Sequence, residues 1–114
     1  MNECIFCRIA AGEIPSKKAY EDELVYAFYD IDPQAPVHVL IIPKRHIESA
    51  GALAGADDAV LCRMFAATKK LAAELGVAET GYRLVTNVGQ DGGQSVPHLH
   101  LHLLGGRPLA WPPG

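Results

Sequence analysis

The sequence is poor in the features that mark most specialised protein classes. No apolar run approaches the roughly 20 residues that span a bilayer, so no membrane segment is expected. A basic excess is missing as well: 10 Lys and Arg stand against 13 Asp and Glu, a net charge of −3. That balance argues against a broad nucleic-acid-binding surface. Met1-Asn2-Glu3-Cys4 has neither the basic start nor the apolar stretch of a secretory signal. Three cysteines are too few for a disulfide scaffold in 114 residues, so a reduced, cytoplasmic chain is expected. Repeats, linkers and low-complexity segments are also lacking, and Gly51–Ala56 reads as a small-residue connection within one domain. What remains is a single domain, 1–114, 49% hydrophobic and large enough for a modest core.

What is present in force is one stretch, Gly92 to Gly106. His98, His100 and His102 alternate there with Leu99, Leu101 and Leu103. Period-two alternation predicts a half-buried strand, with three imidazoles on one face and the leucines in a core. Pro97 suits the strand's first residue, and Gly105-Gly106 ends it. Imidazole is a poor strand former, so a row of three is an unusual choice for structure alone. A glycine-rich turn, Gly89 to Ser95, runs into the row. Its backbone N–H groups can converge on an anion, with the Ser95 hydroxyl added. An anion cradle feeding a row of imidazoles points to chemistry on a phosphate.

Elsewhere, Ile5, Phe6 and Ile9 share one side of a short helix that Gly12 closes. Cys4 and Cys7 form a Cys-x-x-Cys pair in it. They are either two small buried apolar residues or half of a tetrahedral zinc site, for which His46 and His98 are candidate partners. Lys18–Glu21 reads as a strand. Leu24 to Asp30 alternates, with Leu24, Tyr26, Phe28 and Asp30 on one side and Val25, Ala27 and Tyr29 on the other. Asp30 either caps the following turn or accepts hydrogen bonds from a ribose, with Phe28 as a wall for the base. Val37 to Ile42 reads as a central strand buried on both faces. His38 interrupts it, as a satisfied core histidine or as support for the histidine row. Asp57 or Asp58 caps a helix carrying Leu61, Met64, Phe65, Leu71, Ala72 and Leu75 at helical spacing, stopped by Gly76. Cys62 is assigned to the core and Lys69-Lys70 to a solvated face. Tyr82 to Val88 reads as another strand, leading through Asn87 into the glycine turn. About five strands and two helices imply an α+β fold, one antiparallel sheet with helices beside it.

His-Leu-His-Leu-His-Leu-Leu resembles the signature of the histidine triad (HIT) superfamily. Gly-Gly-Gln-Ser before it, with Gly-Gly-Arg and Trp-Pro-Pro-Gly after it, resembles the histidine triad nucleotide-binding branch. Asp30 to Pro36 with His38, Ile42 to Ile47 and Gly81-Tyr82-Arg83 extend the match from about Cys4 to Gly114. The resemblance implies the HIT fold, pairing through the long helix and an adjoining strand into a homodimer with a continuous sheet. It implies a tail, 107–114, whose Trp111 reaches toward the partner's active site.

The resemblance also implies roles. His100 is the nucleophile that attacks the α-phosphorus of a nucleoside monophosphate derivative, and water then hydrolyses the nucleotidyl-His100 intermediate. His98 and His102 fix its tautomer or stabilise phosphoryl charge, and His38 supports the row or relays a proton. Ser95, Gly93, Gln94 and Asn87 meet the phosphate or the leaving group. Asp30 takes the ribose; Phe6, Phe28 and Ile31 wall the base. The expected reaction is hydrolysis of purine nucleoside phosphoramidates, AMP or GMP linked to an amine. The alternatives are dinucleoside polyphosphate hydrolysis, against which Leu104-Gly105-Gly106-Arg107 counts, and a non-catalytic nucleotide-binding or scaffolding module. No cofactor is required for the chemistry. Some bacterial members, and the related galactose-1-phosphate uridylyltransferases, hold a structural zinc with a similar cysteine pair, which here implies Cys4, Cys7, His46 and His98. Animal members of the branch lack that pair. Pro97 departs from the aromatic usual in animal members.

Overall fold

Alternating runs of apolar and larger polar side chains lay down a sheet with two different faces. The computed structural model describes residues 3–114. In chain order it contains α1 (Ile5–Ala10), β1 (Lys18–Glu21), β2 (Val25–Tyr29), β3 (Val37–Pro43), α2 (Asp58–Glu74), β4 (Tyr82–Val85), α3 (Gly89–Gly92) and β5 (Leu101–Gly105). Two single 3-10 turns precede α2. The strands lie in the order β1-β2-β3-β5-β4, and every neighbouring pair is antiparallel. This is the α+β architecture expected, with β3 at the centre and buried almost throughout.

The period of two decides what each face carries. Val25, Ala27, Val39, Ile41, Leu101 and Leu103 point to one side and pack against Val60, Met64, Ala67 and Leu71 of α2. Tyr26, Phe28, Leu40 and Ile42 point to the other and pack against Phe6 and Ile9 of α1. Register then brings Phe28, Leu40 and His102 into one row across β2, β3 and β5. His38 pairs with Leu104 and so stands diagonally from His102. The α1 face is therefore the face on which polar chemistry meets an apolar wall.

The strand ends have local causes. Gly106 takes a φ of +91°, and a Cβ there would lie 2.9 Å from Pro36 Cβ, so only glycine closes β5 at this point. Gly12 and Gly76 stop their helices in the same left-handed region, as expected.

Several expectations from the sequence are corrected. The strand does not begin at Pro97: β5 starts at Leu101, because the preceding backbone turns away and Leu99 N–H donates to Ile47 C=O at 2.6 Å. Similarly β4 ends at Val85 rather than Val88, and the glycine turn contains the one-turn helix α3. Cys62 is exposed, not core. Phe65 is 48% exposed, while Val60, Ala67 and Thr68 are buried instead. The spacing located α2 correctly, and Met64, Leu71 and Ala72 are buried as expected, but the rest of the buried face is made by Val60, Ala67 and Thr68. Asp57 does occupy the position before α2, but its carboxylate accepts from Ala54 N–H and pairs with Arg45 rather than capping the helix. Among the described residues no helix is long and apolar enough to cross a membrane.

Candidate active site

A cavity of about 480 Å³ opens on the α1 face, within the size range of small-ligand sites. Phe6, Phe28, Leu40 and Ile31 give it apolar walls, and Asp30, Ser95, His100 and His102 give it polar ones. Asp30 caps the turn that follows it and lines the cavity. Its Oδ1 accepts from Asp32 N–H at 2.8 Å, which closes the turn, and its Oδ2 lies 3.4 Å from His38 Nε2.

The hydrogen-bond partners assign the imidazole protons. Gln34 N–H donates to His38 Nδ1 at 3.0 Å, so the proton of neutral His38 sits on Nε2. That Nε2–H faces His102 Nδ1 at 2.9 Å. His102 therefore accepts on Nδ1 and carries its own proton on Nε2, on a ring that borders the cavity. His100 Nδ1 lies 2.7 Å from the His98 carbonyl, which can only accept. The proton of His100 is thereby held on Nδ1, and Nε2 keeps its lone pair. Thr86 Oγ1 donates to the His100 carbonyl at 2.9 Å and anchors the backbone there.

Burial disfavours the charged form of His38, His98 and His102. It lowers His38 below the ordinary 6.5, against the opposing pull of Asp30 and Asp32. Burial lowers His98 in the same direction. His102 falls furthest, to about 4, through burial first and then the neighbouring His100 and His38, with Asp30 resisting.

His98 is not where the period-two row put it. Its ring is fully buried, outside the cavity lining, and its Nε2–H donates to the Pro43 carbonyl at 2.8 Å. Its Nδ1 lone pair faces Cys4 Sγ at 3.3 Å and Cys7 Sγ at 3.5 Å, and His46 Nδ1 stands 3.3 Å from Cys7 Sγ. The donor atoms of Cys4, Cys7, His46 and His98 all lie within 4.8 Å of one another, a group able to hold a metal. Asp30, His38 and His102 form a second such group, in which His38 Nε2 and His102 Nδ1 are already hydrogen-bonded to each other.

Of the other residues singled out in the sequence, Gln94 serves the turn rather than the cavity. Its amide donates to the Glu48 and Val96 carbonyls and accepts from Gly89 N–H, which leaves no group directed at a ligand. Gly93 and the half-buried Asn87 also lie outside the cavity lining, as does Trp111, which is 80% exposed beside the Arg83 guanidinium. Gln34, Pro43 and Thr86 were not foreseen. They act through the backbone or on it, and residue type carries no signal of that.

With this geometry in place, a family can be assigned. Residues 11–109 match the HIT domain, and the chain belongs to that family. It is 50% identical over 107 residues to the purine nucleoside phosphoramidase of Escherichia coli, covering 94% of this chain and 90% of that protein. A HIT family hydrolase from Legionella pneumophila superimposes with a TM-score of 0.96 at 53% identity, over 98% of this chain and all of that one. A histidine triad protein from Clostridium difficile follows with a TM-score of 0.93 at 44% identity, over 96% of each chain.

The depressed His102 has a consequence for stability. Between pH 6.5 and about 4 the unfolded chain binds this proton and the folded chain does not. Stability present above that window is therefore lost as the pH falls through it. Urea unfolding at stepped pH is expected to show this decline, with a shallower slope in His102→Gln. Equal slopes would remove His102 as its source.

Proposed function

We propose that the chain hydrolyses purine nucleoside phosphoramidates, AMP or GMP linked to an amine, through a nucleotidyl-His100 intermediate. The observation that carries this reading is the 2.7 Å contact from His100 Nδ1 to the His98 carbonyl, which leaves Nε2 unprotonated on a ring lining the cavity. That nitrogen attacks the α-phosphorus, a P–Nε2 bond forms, and the bond to the amine breaks with its electron pair leaving on the amine nitrogen. The departing nitrogen takes up the proton of His102 Nε2–H, a proton the attacking water later returns. Water then cleaves the P–Nε2 bond and returns the imidazole. The His102 Nε2–H and the Ser95 hydroxyl are the cavity-lining donors for phosphoryl oxygens or the departing nitrogen. His38 holds His102 in the required tautomer. Phe6, Phe28 and Ile31 receive the purine, and Asp30 the ribose hydroxyls. His98 contributes its carbonyl rather than its ring. The 50% identity to a purine nucleoside phosphoramidase supports the choice of a P–N bond. The reaction is assigned to the cytoplasm, where thiols stay reduced.

In steady-state hydrolysis of an adenosine 5′-phosphoramidate, His100→Asn is expected to lower kcat by about 10⁴-fold or more. Binding of AMP without turnover of the phosphoramidate would sink the phosphoramidase reading, and failure on dinucleoside polyphosphates as well would leave a binding module.

In the same reading Cys4, Cys7, His46 and His98 hold a structural zinc. Zn–S of about 2.3 Å and Zn–N of about 2.0 Å in a tetrahedron require S···N of about 3.5 Å. The 3.3 and 3.5 Å separations fit that requirement. His98 presents the lone pair of Nδ1, while its Nε2–H has the carbonyl partner usual for a metal-bound imidazole. When bound, the ion ties α1 to the segment before β5 and takes no part in the displacement. Elemental analysis should find one zinc per chain, and much less in Cys7→Ser. Only background zinc in the native protein would end the assignment.

A second copy of the chain completes the assembly. β4 is an outer strand of the sheet, and α2 exposes Phe65, so the two offer the pairing surface. Residues 107–114, with Trp111, reach toward the partner's cavity. Sedimentation should show a dimer that Phe65→Glu converts to a monomer; a monomeric native protein would refute the pairing.

A further inference from the structure

One residue joins the four-ligand group to the nucleophile. The His98 ring is held at both nitrogens, by the Pro43 carbonyl on one side and the sulfurs of Cys4 and Cys7 on the other. The carbonyl of the same residue receives His100 Nδ1–H. Turning the His98 ring out of its seat would pull on the peptide that sets the His100 tautomer.

A second connection runs through α1. This helix has only six residues, too few to be stable by itself, so tertiary anchors hold it. Phe6 lies between the two cysteines in sequence. Its ring meets His100 at 5.1 Å and 89°, His98 at 5.9 Å and 71°, and Phe28 at 5.4 Å and 74°. Cys4 Sγ also accepts Cys7 N–H at 3.4 Å and so caps the helix. A shift of the sulfurs therefore moves the edge-to-face wall against both the nucleophile and the base pocket. His46 and Cys7 do not line the cavity, and any effect they have on it must pass through these contacts.

We infer that Cys4, Cys7 and His46 are positioning residues for the reaction: by seating the His98 ring and α1 they hold His100 in its Nδ1-protonated form and Phe6 against it. The inference rests on the zinc and phosphoramidase readings above and goes beyond a structural staple. The four-ligand group sets catalytic geometry, not only stability.

The test compares zinc-loaded native protein, chelator-stripped native protein, His46→Ala and the ligand-retaining His46→Cys. The readouts are the ¹⁵N shifts of the His100 ring (assigned with His100→Asn), affinity for AMP, and kcat separately from KM. Stripping or His46→Ala is expected to move His100 toward a tautomer mixture and weaken AMP binding. The same changes should lower kcat by about 10- to 100-fold, the usual cost of losing such outer support. Circular dichroism should stay native, and His46→Cys should restore all three readouts. Should His46→Ala fail to fold, His46→Asp, a weaker ligand, takes its place. Native-like His100 shifts and AMP affinity in the stripped protein and the variant would overturn the inference, as would a His100 spectrum indifferent to zinc. The ring shifts and AMP affinity need no turnover, so absence of turnover in native protein would count against the phosphoramidase reading alone.

Discussion

The pairing of β3 with β5 is the constraint from which the site follows. It sets Leu40 opposite His102 and His38 opposite Leu104, so the two imidazoles meet diagonally on the α1 face. Because side chains alternate, a slip of one residue would send His102 into the α2 core and bring a leucine to the cavity. Leu101 and Leu103 resist that slip by filling the space against α2. The apolar half of the histidine-leucine alternation therefore holds the polar half in place.

Three histidines close together in sequence are given different work by their partners. A carbonyl at Nδ1 leaves His100 with a lone pair on Nε2. A donor at Nδ1 leaves His102 with a proton on Nε2. A carbonyl at Nε2 leaves His98 with a lone pair turned toward two sulfurs. Identical side chains thus come to present a lone pair on a ring lining the cavity, a hydrogen-bond donor beside it and a lone pair facing two sulfurs. Burial supports this division, since desolvation disfavours the imidazolium that would erase the differences between the two nitrogens.

The apolar walls belong to the same economy of charge. Phe6 and Phe28 are packed edge to face, and with Leu40 they border a cavity whose polar groups lie at Asp30, Ser95, His100 and His102. Such a cavity sets an aromatic wall on one side against imidazoles and a hydroxyl on the other. Low polarity strengthens each hydrogen bond that the imidazoles make to one another. The pair of buried His38 and half-buried His102 is closed by Gln34 N–H at one end and faces Asp30 at the side.

Much of this was legible in residue order. Alternation in Leu24 to Asp30 marked a strand because the strand backbone has a period of two whatever it packs against, and the apolar run Val37 to Ile42 marked one covered on both faces. Helical spacing marked α2, but spacing shows which residues are apolar and not which side meets the sheet, so Phe65 and Cys62 were put on the wrong face. The histidine row was read as one face because alternation transfers to space only where the backbone is extended and paired. Between Val96 and His100 it is not: Leu99 pairs with Ile47, and the His98 ring turns to the cysteines. The sequence by itself determined the kinds of chemistry present, imidazoles beside a glycine turn and a thiol pair near the start. Which nitrogen of each imidazole carries the proton was decided only by tertiary structure, because those protons answer to the carbonyls of Pro43 and His98 and the N–H of Gln34, and these reach their imidazoles only when the chain folds.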